Sequence, residues 1–408
     1  MEKIKFFILK IYNFLILSKR KLSVFLQESL LYLLPVKKNR IVFSSFCGEN
    51  YSCNPRAIFE YLYSNYGEKF EYVWLFDYKK NPIIPDDLKQ KAKCVQFNSF
   101  KSSYYKATSG VWCFNHRNTK YFKKKKNQLY IQTWHGDIGF KAIDKKLYNI
   151  GRLSEEYARK CRVDSGMTDI LLSGSDWGYK NLREAFFYEN GEIAKYGCPR
   201  NDVLINRSKD YLYEEIRNKY NLSPTCKICL FAPTFRKTFD VADSFVTNEE
   251  KRGAVIKALE SRFGGKWVLM VKYHPASIAK NSGYVLADGE NLIDVSRHGD
   301  VAELLVASDA MISDYSSISF DYALTKKPCW LYFEDFEQYA KNDREIAIDV
   351  DQILFEKCFS TESLIKAVTE HSDEKYQENI DKMLLSFGSY EKGFSCEKTA
   401  ERIISFIQ

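Results

Sequence analysis

Short apolar runs alternate with longer amphipathic stretches along most of this chain. This is the pattern of strands buried on both faces of a parallel sheet and of the helices that cover it. In the first half, runs at 41–46, 71–76, 93–97, 110–114, 130–134 and 169–173 predict strands, with helices predicted over Pro55–Tyr66 and Asp176–Phe187. A helical stretch over Lys209–Tyr220 opens a second series, with strands predicted at 226–231, 267–273, 292–295, 310–313 and 329–333. Such alternation implies right-handed crossovers and an α/β fold. The chain therefore reads as two halves, 41–205 and 206–408, preceded by a basic amphipathic segment at 1–40. Beyond Tyr339 the pattern turns polar and helical, and the last predicted helix is Glu397–Ile407.

The strand ends carry the chemistry. In DAMISDYSSISFDYALTKKPCWLY (309–332), the strand Ala310–Ser313 runs into Tyr315, Ser316 and Ser317, and then into an apolar-periodic helix that stops at Lys326, Lys327 and Pro328. Unpaired backbone N–H groups and a partial positive charge at a helix start favour phosphate, and serine hydroxyls add donors. Capping is the commoner role of one such serine, so Ser316 by itself leaves both readings open. Three other segments repeat the design: YIQTWHGDIGFK brings His135 and Gly136 to a strand end, CLFAPTFRK brings Thr234, Arg236 and Lys237, and WVLMVKYHP brings Lys272, His274 and Pro275. Ligands of open α/β sheets bind beyond the carboxyl ends of strands, so these groups converge on one crevice.

The ordered set QTWHG, YGCPRNDVL, APTFR, YHP, DVAELL and DYSSISFDYALTKKP, spread over roughly residues 40 to 345, resembles the CDP-glycerol glycerophosphotransferase family of teichoic-acid primases, polymerases and related capsule polymerases. The resemblance implies a GT-B fold, with two Rossmann-like domains facing across a cleft and the last helix crossing back to the first. The first domain would take the acceptor and the second the nucleotide donor. It further implies transfer of glycerol 3-phosphate from CDP-glycerol to a hydroxyl of a polyprenyl-linked or polymeric glycan, with release of CMP. CDP-ribitol as donor, or a nucleotide sugar in a GT-B glycosyltransferase, are the alternatives. The chain departs from the family after Gly136, where Asp137, Ile138 and Gly139 stand in place of a more usual Thr-Pro-Leu-like turn.

Roles follow from residue type and from this resemblance. His135, with an ordinary pKa of about 6.5, suits the general base, and His274 suits the departing phosphate. Thr234, Arg236, Ser316 and Ser317 suit the pyrophosphate. Gly136, Lys141, Asp314 and Asp321 belong to the same cleft by resemblance. Asp300 and Glu303 could accept from ribose hydroxyls, although a helix N-cap is the commoner role for Asp300. Arg200 and Asp202 read as a structural ion pair or turn near the hinge, and His116, His298 and His371 as packed core histidines.

Composition and charge narrow the picture. A hydrophobic content of 45% and an aromatic content of 15% exclude a disordered chain. Eleven scattered cysteines point to a reducing compartment, and the lone CxxC at Cys226 and Cys229 alternates within a strand, as packing residues do. Asp349 and Asp351 match an Asp-x-Asp motif but fall in a polar stretch outside the strand ends, so neither a metal nor a cofactor is expected. Of the formal net charge of +8, nearly all lies in residues 1–40, where nine basic residues face two acidic ones. Their apolar runs are too short to span a bilayer, and Lys10 breaks the first as a signal peptide. An interfacial helix pair on an anionic membrane, at its cytoplasmic face, is therefore expected, with packing on the protein's own surface as the alternative. The cluster Lys120–Lys126 reads as a solvated loop or a steering patch for an anionic acceptor. Nucleic acid is not expected, because no recognition module accompanies the charge.

Overall fold

The computed structural model describes residues 29–118, 123–189, 191–206, 210–234, 245–273, 289, 291–339 and 346–408. The predicted membrane helices before residue 29, Lys120, and the candidate site residues Arg236 and His274 lie outside these.

The first half is a seven-stranded parallel sheet in the order β3-β2-β1-β4-β5-β6-β7. In chain order its elements are β1 (Lys37–Ser44), α1 (Cys53–Tyr66), β2 (Glu71–Phe76), β3 (Lys93–Gln96), α2 (Phe100–Thr108), β4 (Ser109–Phe114), β5 (Leu129–Gln132), α3 (Glu155–Met167), β6 (Ile170–Leu172), α4 (Asp176–Ala185) and β7 (Glu192–Ala194). The central strands are buried on both faces, which explains their unbroken apolar runs: all six residues of β4, SGVWCF, are buried. A 3-10 turn, Pro199–Asn201, and the short helix α5 (Asp202–Ile205) then lead to α6 (Asp210–Lys219).

The second half is a six-stranded parallel sheet in the order β10-β9-β8-β11-β12-β13. It comprises β8 (Lys227–Ala232), α7 (Glu249–Phe263), β9 (Trp267–Val271), β10 (Leu292–Asp294), α8 (Val301–Ala307), β11 (Ala310–Ser313), α9 (Ile318–Ala323), β12 (Cys329–Tyr332) and β13 (Glu356–Cys358). The helices α10 (Thr361–Thr369), α11 (Asp373–Ser386) and α12 (Ser395–Ile407) complete the chain. In each sheet the strand order reverses beside a central pair, β1/β4 in one and β8/β11 in the other. Those reversals open the crevices in which such sheets bind ligands.

Two edge strands, β7 and β13, are absent from the pattern reading. Each spans three residues and opens on a glutamate, EIA and EKC, so neither leaves the apolar run that marks the other strands. The lysine cluster also differs from a solvated loop. Lys124 bonds Asp169 at 3.0 Å, and buried Lys125 donates to the Leu34 carbonyl, so two of these cations pin the entry to β5.

The halves are sewn together by polar and apolar contacts. The α12 side chains Ala400 and Ile403 pack with Ile41, Phe43 and Ile58 of the first half, and Asp202 caps this helix by accepting from the N–H groups of Ser395 and Cys396 at 3.0 and 2.7 Å. In the other direction, Ile138 and Phe140 of the first half are buried in the core of the second, with the Phe140 ring 5.4 Å from that of Phe320. Between them lies buried Arg200, whose guanidinium forks onto Asp321 of α9 at 2.9–3.1 Å. Asp202 is therefore not its partner. Removing one member of a buried pair leaves the other charge stranded, at a cost of about 3–5 kcal/mol. Arg200→Ala is accordingly expected to lower unfolding stability by about that much, measured by denaturant melting against wild type.

Candidate active site

Three strand ends of the first half build a seat for one imidazole. Beyond β1, Phe46 and Cys47 take left-handed backbone angles, φ 46° and 57°, which turn the Phe46 ring to within 5.3 Å of the His135 ring. Beyond β4, the Asn115 side chain accepts from the Phe46 N–H at 2.7 Å, and its main-chain carbonyl lies 2.7 Å from His135 Nδ1. A carbonyl only accepts, so Nδ1 carries the hydrogen and the neutral ring keeps its lone pair on Nε2. Beyond β5, Trp134 is also left-handed, φ 49°, and packs on His135 with ring centroids 3.9 Å apart.

The second half presents the opposing wall. After β8, the Thr234 N–H and hydroxyl both donate to Asp314 after β11, at 2.6–3.0 Å, which ties the two switch-point strands together. Ser316 and Ser317 follow, and Ser317 is the N-cap of α9, its side chain making no capping hydrogen bond. Gly136 faces it. A Cβ on Gly136 would lie 3.1 Å from Ser317 Oγ, so the two walls meet beside His135 in a close contact that a side chain at 136 would tighten.

The remaining candidates are drawn into contacts between the halves. Asp300 caps α8 through the Ala302 N–H at 3.1 Å and accepts from the Cys53 N–H of the first half at 3.0 Å. Glu303 receives Arg56 of α1 and, at 2.7 Å, His298; burial alone would raise its carboxyl, but these partners hold it at about 2. Asp321 is taken by Arg200 and Asn201, and Lys141 forms an antiparallel bridge with Ile346. Lys272, at the end of β9, donates to the His298 carbonyl at 2.8 Å, and burial pushes its ammonium down to about 8. Asp349 accepts from the Asp351 N–H within a 3-10 turn, the loop role expected of that pair. Among the described residues, no three His, Cys, Asp or Glu side chains are grouped to hold a metal.

Sequence reasoning did not single out Phe46, Asn115 or Arg56. Asn115 carried a usable signal, as a polar residue directly after an apolar strand, whereas Phe46 and Arg56 acquire meaning only through their partners.

The family model for CDP-glycerol:poly(glycerophosphate) glycerophosphotransferase matches residues 26–405. The chain belongs to this family. Within the glycerophosphotransferases it is 31% identical over 392 residues to the teichoic acid poly(glycerol phosphate) polymerase of Bacillus spizizenii, covering 91% of this chain and 93% of that one. It is 33% identical over 370 residues to the corresponding polymerase of Staphylococcus epidermidis, covering 88% of this chain but 49% of the relative, so it spans about half that protein's length. Among solved structures, a variant of the wall teichoic acid polymerase TagF soaked with CDPG superposes with a TM-score of 0.79 at 30% identity, over 93% of each chain. This member of the family thus has the GT-B-like fold, two parallel-sheet domains across a cleft.

One acid between the halves is held out of its usual range. Burial is the main reason that Glu391 is pushed up to about 8, opposed by the Cys198 N–H, and the nearby Asp137 adds to the rise. A carboxyl raised in the fold favours the folded state below its unfolded pKa and loses that contribution as pH climbs through the folded value. Glu391→Gln, which keeps a neutral acceptor, is therefore expected to gain in melting temperature relative to wild type as pH rises from about 5 to 8, and to show no such gain below that window. Melting curves across pH check this.

Proposed function

We propose that this chain transfers glycerol 3-phosphate from CDP-glycerol to a hydroxyl of a membrane-linked, teichoic-acid-like glycan, releasing CMP. The observation that carries this reading is His135, with Nδ1 committed to the Asn115 carbonyl and Ser317 facing the adjoining Gly136 from the other half. The acceptor oxygen bonds to the phosphorus nearer the polyol, the bond from that phosphorus to the bridging oxygen breaks, and the hydroxyl proton passes to His135 Nε2. Thr234, Ser316, Ser317 and Arg236 hold the pyrophosphate charge, and His274 serves the departing CMP phosphate. On this reading the first half receives the acceptor and the second the donor.

A peripheral place at the cytoplasmic face of the membrane belongs to the same proposal. No described helix is long and apolar enough to cross a bilayer. Leu30 and Leu33 are exposed next to Tyr32, whose ring lies 5.6–6.0 Å from the ammonium groups of Lys125 and Lys123. Apolar groups bordered by cations suit an interface with anionic lipid.

The test is a donor screen with a lipid-linked acceptor, following CMP. CDP-glycerol is expected to turn over, and His135→Ala to lose about 10²–10⁴-fold in kcat, the usual worth of a general base. Turnover of CDP-ribitol instead would change the polyol, and turnover of only a nucleotide sugar would overturn the proposal.

A further inference from the structure

We infer that Asp137 is the positioning residue of the His135 base, which rests on the role proposed for His135. Asp137 stands two residues beyond that histidine, at the point where the chain leaves its family's usual turn. Its carboxylate reaches sideways into the turn between β6 and α4. One oxygen accepts from the Ser173 hydroxyl and the Gly174 N–H, each at 2.8 Å, and the other accepts from the Ser175 hydroxyl. Burial raises this carboxyl, and these three donors oppose the rise.

The room for the carboxylate is carved by a glycine. A Cβ built on Gly178, in the first turn of α4, would overlap the carboxyl group of Asp137. The turn is itself held from outside, because the Asp176 and Trp177 N–H groups donate to the carbonyls of Gly388 and Phe387 at 3.0 and 3.1 Å. On its other side the loop continues into Ile138 and Phe140, buried in the second half's core. Trp134 enters the loop in the left-handed region, a conformation that persists in a non-glycine residue only where its surroundings hold it. Asn54 fixes the Trp134 carbonyl and Asn115 meets the ring, and Asp137 supplies the first-half hold on the C-terminal side of His135. Without it, the loop after His135 is anchored only through a segment that belongs to the other half.

The full chain, labelled with ¹⁵N-histidine, tests this through the His135 imidazole signals, assigned by their loss in His135→Ala, alongside CMP release and thermal melting. Asp137→Ala is expected to fold and to lower kcat about 100-fold, the scale of a 1 Å misplacement, with little change in KM for CDP-glycerol. The His135 signals should move from the Nδ1–H tautomer towards a tautomer average, with a displaced titration midpoint. Gly178→Ala, which keeps the acid but fills its space, should reproduce both effects and add nothing in the Asp137→Ala background. Should Asp137→Ala not fold, Asp137→Asn carries the same readouts. Wild-type His135 signals in a folded Asp137 variant, or full additivity with Gly178→Ala, would overturn the inference. If wild type turns over no CDP-polyol, the functional proposal fails, and the imidazole signals alone still decide whether Asp137 positions His135.

Discussion

A guanidinium buried between two domains must be met by carboxylate, and the way Arg200 is met organises the cleft. Its fork closes on Asp321 in α9, the helix that starts at Ser316 and Ser317. Its own N–H donates to Asn54 Oδ1 at 2.9 Å, and the Asn54 amide in turn donates to the carbonyls of Thr133 and Trp134 at 3.1 and 3.0 Å, directly before His135. One residue thus ties the helix that follows Ser317 in one half to the strand end that carries His135 in the other. Buried ion pairs contribute little net stability over apolar packing, because desolvation consumes most of the Coulomb gain. The contribution here is register: the pair selects one arrangement of the halves, and that arrangement puts Ser317 against Gly136.

The cations that cross the cleft sit among a surplus of acids. Asp321 and Asp137 interact with Arg200, and both add to the burial that keeps the proton on Glu391 up to about 8. Arg56 plays the corresponding part on the other flank, between Asp300 and Glu303. The acids that a motif reading assigns to ribose are engaged in holding the domains. On the proposed reading, donor recognition falls to the strand-end hydroxyls and backbone, together with Arg236 and His274.

Much of the fold was legible because parallel strands buried on both faces leave unbroken apolar runs. The run at 310–313 coincides with β11, and the fourth strand of the first half differs from its prediction by one residue at its start. The edge strands β7 and β13 escaped because each is three residues opening on a glutamate, too short and too polar to leave an apolar run. In the site, His135, Thr234 and the serine pair were legible as polar groups at the ends of apolar strands. Their partners were not. Asn115 stands out as a polar residue after an apolar strand, but it meets His135 through its main-chain carbonyl, which any residue possesses, and Phe46 acts through a backbone angle that its side chain does not advertise. Arg200 was legible as structural, but its partner lies more than a hundred residues away, and spacing in sequence cannot supply a contact made by folding.

The two walls meet at Gly136 and Ser317, beside His135. The Gly136 Cβ position lies 3.5 Å from the Ser317 Cβ, at the short end of the roughly 3.5–4.5 Å that a disulfide spans. The direct measurement is oxidation of the Gly136→Cys/Ser317→Cys variant, with linked peptides identified by mass spectrometry and CMP release followed before and after reduction. The 136–317 link is expected to form, and CMP release by the oxidised protein to fall below that of the same variant after reduction. Oxidised protein that lacks the link, or that carries it and releases CMP as fast as after reduction, would contradict the account.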